Sequence, residues 1–307
     1  MTTDSAPSTA VSTGTVDFQV YLPAGYDQAD DATRYPTLYL LHGRGDTDSA
    51  WTREKADLDR LIADGSIPPL IVVMPDAPWE SAAGWYVDSQ YTGAGPAEQV
   101  ETALTRDLVG YVDTHYRTLT TRTARAVGGY SMGGYGALRY ALAHQDEFSA
   151  AIVLSPAVFT TTVPDPDDIR DHGAFGVGDD SFVMDRYTAL NYPALLDSFD
   201  PTMPVRMYLA VGDREYAYPH PYEHNDLDFE TAVAYNELKR VDGITADMRV
   251  LGGGHDWDVW QPAFVEGLTL IGPVISPNAP QPMDAPLFGG GGDDWAGGAV
   301  PTDDGGV

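Results

Sequence analysis

Cysteine is absent from the 307-residue chain. Its absence rules out disulfides, a thiol nucleophile and any thiolate metal site. Lysine is nearly absent too: Lys55 and Lys239 are the only two, and 17 Lys plus Arg stand against 46 Asp plus Glu, a formal charge of −29. So acidic a chain argues against nucleic acid or an anionic membrane as partner. It fits adaptation to high salt and GC-rich codon usage equally well. No run of about twenty apolar residues occurs, so nothing reads as a membrane span. Residues 1–15 are Ser/Thr-rich and lack both the charged start and the apolar stretch of a secretory signal. They read as disordered. That absence points to a cytoplasmic protein, with a secreted mature form as the alternative.

What is present suffices for a core. Hydrophobic residues make up 43% of the chain, and the pattern reads as one α/β domain over residues 16–272. Buried-strand runs fall at 35–41 and 70–74, further strands at 148–154, 205–211 and 244–251, and an earlier alternating strand at 17–22. Helical spacing marks 51–63, 96–116, 229–241 and 261–271. The acidic stretch 27–33 lacks the spacing of a calcium loop and reads as a solvated turn. Residues 159–204 are irregular, acidic and proline-containing, with one helix expected near 181–190. They suit a cap-like insertion over the strand ends. Residues 273–307 read as a disordered acidic Gly/Pro-rich tail.

The chemistry centres on Gly129-Tyr-Ser131-Met-Gly133, which joins an apolar strand ending at Val127 to a helical pattern. In that context Gly-x-Ser-x-Gly lifts a serine hydroxyl above the carboxyl ends of the sheet. The turn is so tight that glycine is needed two residues either side. The Met132 N–H, at the helix start, is aimed at an oxyanion. The second oxyanion donor of this architecture comes from the loop after an earlier strand, here His42-Gly-Arg44-Gly-Asp46, and by position it is the Arg44 N–H. His42 reads as a loop-bracing residue. His255 follows three glycines at the end of the last strand and is the expected base.

Two carboxylates follow the strand at 205–211. Counting from Gly212 favours Glu215 as the acid that orients the imidazole, with Asp213 next and Glu223 and Glu230 as outsiders. His220 and His224 are four apart, a spacing that could ligate metal on a helix. Pro219 and Pro221 disfavour a helix there, and no metal or cofactor is expected. Trp85, Tyr86 and Asp88 lie in an aromatic loop after a strand end and, with Trp257, are candidate substrate contacts. The chain order serine, acid, histidine is that of the α/β-hydrolase fold. The expected architecture is a mostly parallel sheet of about eight strands with helices on both faces.

Leu40-Leu-His-Gly43, Gly129-Tyr-Ser-Met-Gly-Gly-Tyr-Gly-Ala137 and Gly254-His-Asp-Trp-Asp-Val-Trp260 together resemble the esterase D-like α/β-hydrolases. That group holds S-formylglutathione hydrolases, feruloyl and acetyl-xylan esterases, enterochelin esterases and mycolyltransferases of the antigen 85 type. The resemblance covers about residues 15–272. It implies a cofactor-free serine esterase with a Ser131/His255/acid triad, forming an acyl-enzyme on small acyl, acetyl or hydroxycinnamoyl esters of a small or carbohydrate-linked alcohol. Glu215 departs from the aspartate most members carry. Acyl transfer to an alcohol or sugar, and a non-catalytic binding protein that kept the fold, are the rival expectations.

Overall fold

A computed structural model of the chain describes residues 1–77, 84–93, 96–160, 163, 168–215 and 226–276. Eight strands form the central sheet: β1 (Thr2–Pro7), β2 (Thr15–Tyr21), β3 (Thr37–Leu41), β4 (Ile71–Pro75), β5 (Arg125–Tyr130), β6 (Ala150–Leu154), β7 (Val205–Gly212) and β8 (Ile244–Leu251). Their spatial order is β1-β2-β4-β3-β5-β6-β7-β8. The β1–β2 and β2–β4 pairs are antiparallel and all later pairs parallel. Parallel strands need helical crossovers, and these cover both faces of the sheet.

Strand periodicity divides the interior into two layers. Leu38, Leu40, Val72 and Met74 point toward α1 (Lys55–Ala63) and the last helix, where Leu58, Leu61, Phe264 and Leu268 pack. Tyr39, Leu41, Ile71 and Val73 point the other way, into a layer with Val100, Leu104, Leu138 and Ala234. These come from α2 (100–115, π-wound over Ala103–Leu108), α3 (Met132–Ala143) and a later helix, Leu227–Leu238. The central strands β3 to β7 are therefore buried on both sides, whereas the edge strands β1 and β8 are mostly exposed or half-buried.

The N-terminus corrects the expectation of disorder over residues 1–15. Thr2–Pro7 adds an edge strand, with Thr2 opposite Val20 and Pro7 opposite Thr15. Backbone pairing needs no large side chains, so a Ser/Thr-rich segment can supply it without an apolar signature. Ala6 is fully buried, and the Tyr116 hydroxyl donates to Asp4 at 2.7 Å. The 159–204 region carries a four-residue helix (Asp168–Asp171), α4 (Met184–Leu190) and α5 (Tyr192–Leu196), so its main helix starts three residues later than expected. The helix Leu227–Leu238 is α6. The final helix, α7 (Trp257–Ile271), starts four residues earlier than expected, because the Asp256 side chain caps it by accepting the Asp258 N–H.

One buried charge stands apart. Glu54, just before α1, is fully buried, and neither carboxylate oxygen has a hydrogen-bond partner among the described residues. Burial, reinforced by the nearby Asp57 carboxylate, raises its pKa from 4.5 to about 7. The native state therefore holds a proton that the unfolded chain releases, so this contribution to stability is full at low pH. It is lost as pH rises from about 4.5 to about 7. Glu54→Gln should accordingly gain melting temperature relative to wild type between about pH 4.5 and about pH 8. A difference in melting temperature that does not change with pH would contradict the assignment.

Candidate active site

Ser131 occupies the turn between β5 and α3 with φ 57° and ψ −121°. That left-handed φ is costly for a non-glycine residue, on the order of 1–3 kcal/mol. The surrounding backbone enforces it. A Cβ on Gly129 would lie 2.1 Å from the Gly133 carbonyl oxygen, and one on Gly133 would lie 2.2 Å from that of Leu41. Only glycine at both positions lets α3 start this close to β3 and β5. Two backbone hydrogen bonds, Ser131 N–H to Leu154 O and Ala157 N–H to Ser131 O, lock the turn against the end of β6.

His255 arrives from the loop after β8. Its Nε2 lies 2.8 Å from Ser131 Oγ and its Nδ1 lies 2.7 Å from Glu215 Oε2. An ionised carboxylate only accepts, so Nδ1 carries the proton and Nε2 is left to accept from the serine hydroxyl. The loops after β7 and β8 are zipped together by Asp213 N–H to Leu251 O and Arg214 N–H to Gly253 O, which brings Glu215 under the imidazole. The Glu215 side chain is fully buried. Its other oxygen, Oε1, accepts from the Gly212 N–H and the Ser155 hydroxyl, each at 2.6 Å.

The geometry separates the two acid candidates. Asp213 is half exposed and accepts from the Gly253 N–H and from Arg214, so it braces the loop and does not meet the imidazole. Glu230 accepts from the Thr160 N–H and hydroxyl, and the carboxylate at His255 Nδ1 is that of Glu215. Glu223, His220 and His224 lie outside the described residues. Among the described residues, no group of three His, Cys, Asp or Glu could hold a metal ion.

Ser131 and His255 open into a cavity of about 340 Å³, with Arg44, Met132, Trp85, Tyr130, Phe159 and Trp260 in its wall. Met132 is the first residue of α3, where backbone N–H groups have no partner within the helix. Arg44 is in the loop after β3, which is braced from behind by His42. The His42 Nδ1 donates to Gly43 O at 2.7 Å, and its Nε2 accepts the Ala77 N–H at 3.0 Å.

Of the four expected substrate contacts, Trp85 reaches the cavity. Tyr86 is fully buried and donates to His42 O at 2.9 Å, so it packs beneath the site. Asp88 accepts from the Thr102 N–H and hydroxyl, holding the first turn of α2. Trp257 packs against Trp51 and Tyr130 under the Arg53 guanidinium, which lies 4.2 Å from its ring. Trp260, one helical turn on, is the α7 tryptophan that lines the cavity alongside Trp85. Sequence reasoning gave no role to Phe159, Ser155 or Trp260. Ser155 alone had a local signal, a serine directly before proline at a strand end.

This architecture is an α/β-hydrolase fold with a serine–histidine–carboxylate line at the carboxyl ends of its strands. The chain belongs to the putative esterase family, whose model matches residues 9–271. It is 35% identical over 159 residues to an endo-1,4-beta-xylanase/feruloyl esterase of Xylanibacter ruminicola, covering 50% of this chain and 20% of that protein. An acetyl esterase of Caldicellulosiruptor saccharolyticus is 26% identical over 244 residues, 75% of this chain and 80% of that one. A solved ferulic acid esterase superposes with a TM-score of 0.71 at 25% identity, covering 89% of this chain and 97% of that one. An S-formylglutathione hydrolase from Agrobacterium tumefaciens shares the fold with a TM-score of 0.63 at 18% identity, covering 87% of this chain and 90% of that one. The chain spans only about a fifth to a quarter of the length of the first curated relatives it matches. These matches fall in the group that the motifs resemble.

Glu215→Gln should lower kcat by roughly 10³-fold or more, because the amide no longer selects the imidazole tautomer or stabilises the imidazolium. Asp213→Asn should stay within about threefold of wild type, since it touches neither reacting residue. The reverse ranking in steady-state kinetics would reassign the acid.

Proposed function

We propose that the protein is a carboxylic-ester hydrolase that works through an acyl-enzyme on Ser131. The observation that carries this reading is the unbroken hydrogen-bond line from Ser131 through His255 to a buried Glu215, at 2.8 Å and 2.7 Å. His255 takes the proton of Ser131 as the hydroxyl attacks the ester carbonyl. The developing oxyanion is met by the backbone N–H groups of Met132 and Arg44, the former strengthened by the α3 dipole. Collapse of the tetrahedral intermediate expels the alcohol with the proton from His255. Water, deprotonated by the same imidazole, then attacks the acyl carbonyl, and His255 passes that proton to Ser131 Oγ as the acyl–Oγ bond breaks and the acid leaves.

The cavity wall supports an aromatic or short acyl group. Trp85, Tyr130, Phe159 and Trp260 offer flat apolar faces around the nucleophile. The relatives named for feruloyl and acetyl esters support the same substrate class, a hydroxycinnamoyl or acetyl ester of a small or carbohydrate-linked alcohol. Charge supports the substrate class too. A chain at −29 suits a neutral or carbohydrate-linked ester better than a polyanion.

The test is hydrolysis of p-nitrophenyl acetate and methyl ferulate by wild type and Ser131→Ala. Wild type should turn over both, and the variant should lose about 10³-fold or more in kcat/KM on each. Equal rates in the two proteins would refute the reading.

A further inference from the structure

Ser155 and Trp260 extend the site beyond the three residues already assigned. Ser155 directly follows β6, is fully buried, and has φ 42°. A serine at that φ is uncommon outside glycine-favoured turns, and its cost persists only where the surroundings over-determine it. Here they do. The Ser155 N–H donates to Ala210 O at 2.7 Å, pinning the residue to β7. Its Oγ lies 2.9 Å from Trp260 Nε1 and 2.6 Å from Glu215 Oε1.

Donor accounting fixes the direction of this chain. An indole N–H only donates, so Ser155 Oγ accepts from Trp260 and must send its own proton to the carboxylate. Glu215 Oε1 therefore receives two donors, Gly212 N–H and Ser155 O–H, while Oε2 receives the His255 Nδ1–H. Three donors define the carboxylate plane. That matters because glutamate has one more rotatable bond than aspartate, so more freedom must be frozen for it to hold an imidazole in register. Trp260 acts at both ends of the line: its N–H orients Ser155, and its ring stands edge-to-face with His255 at 4.9 Å and 89°.

We propose that Ser155 is a positioning residue of this site, acting through Glu215, and that Trp260 orients it. The relay Trp260–Ser155–Glu215 holds the carboxylate plane so that His255 meets the Ser131 hydroxyl. The proposal rests on the Ser131–His255–Glu215 reading. It extends that reading with a residue that touches neither substrate nor reacting atoms.

The test is Ser155→Gly, since glycine tolerates the backbone conformation and only the side chain is lost. Ser155→Ala serves as a second variant that keeps Cβ. Both should lower kcat for p-nitrophenyl acetate by about 10-fold to 100-fold while KM stays within about twofold, because the carboxylate loses orientation and the cavity keeps its walls. Folding of each variant is checked by near-UV circular dichroism. The deciding readout is a double-mutant cycle with Glu215→Gln. If Ser155 works through Glu215, Ser155→Gly should cost less than about twofold in the Glu215→Gln background. Unchanged kcat in both Ser155 variants, or losses that multiply in the cycle, would overturn the proposal. In either case Ser131→Ala and Glu215→Gln would still lose about 10³-fold or more if the underlying reading holds. Activity retained in those two would instead refute that reading.

Discussion

A 2.8 Å hydrogen bond between Ser131 and His255 joins residues 124 positions apart, and the architecture around it serves to hold that distance. Its serine end is fixed by backbone packing. Glycine at 129 and 133 lets a strand, a turn and a helix meet within atomic contact, and the strained φ of Ser131 is the consequence. Its histidine end is fixed by parallel pairing. β7 and β8 run in register from Val205–Ile244 to Gly212–Leu251, and the loops beyond them stay hydrogen-bonded, so the carboxylate and the imidazole emerge side by side. A parallel sheet of this kind brings distant segments to one edge, and at that edge Ser131, His255 and Glu215 meet.

The electrostatics of the site follow from burial. A carboxylate removed from water is tolerable only if its oxygens are hydrogen-bonded, and Glu215 accepts three donors. The contrast with Glu54 is instructive. Both carboxylates are buried, but Glu54 has no hydrogen-bond partner among the described residues, and its pKa moves up to about 7. Two glutamates in one domain thus differ by what surrounds them. Glu215 is met by three donors, whereas Glu54 is buried without one among the described residues.

Much of the site was legible in the sequence because its signals are local. Gly-x-Ser-x-Gly states a turn geometry, three glycines before His255 state a close loop, and counting from Gly212 reaches Glu215. The two apolar layers were legible as runs of buried-strand type. What was not legible depends on partners far apart in the chain. Ser155 meets Glu215 across 60 residues and Trp260 across 105, and no spacing rule encodes such pairs. In the sequence, Trp257 reads as a contact and the final helix reads as starting at residue 261. The Asp256 cap starts it at 257, and one helical turn then decides which indole faces the cavity. Tyr86 and Asp88 sit in a loop of the expected kind, but their polar atoms are consumed by His42 O and Thr102. The first strand was missed because edge pairing leaves little trace in side chains.

The most direct test of the central claim is to label the protein with a fluorophosphonate and map the adduct by peptide mass spectrometry. This account predicts a single adduct on the peptide bearing Ser131, formed far more slowly in His255→Ala because the hydroxyl has lost its base. An adduct on another residue, or labelling of Ser131 at the same rate without His255, would contradict it.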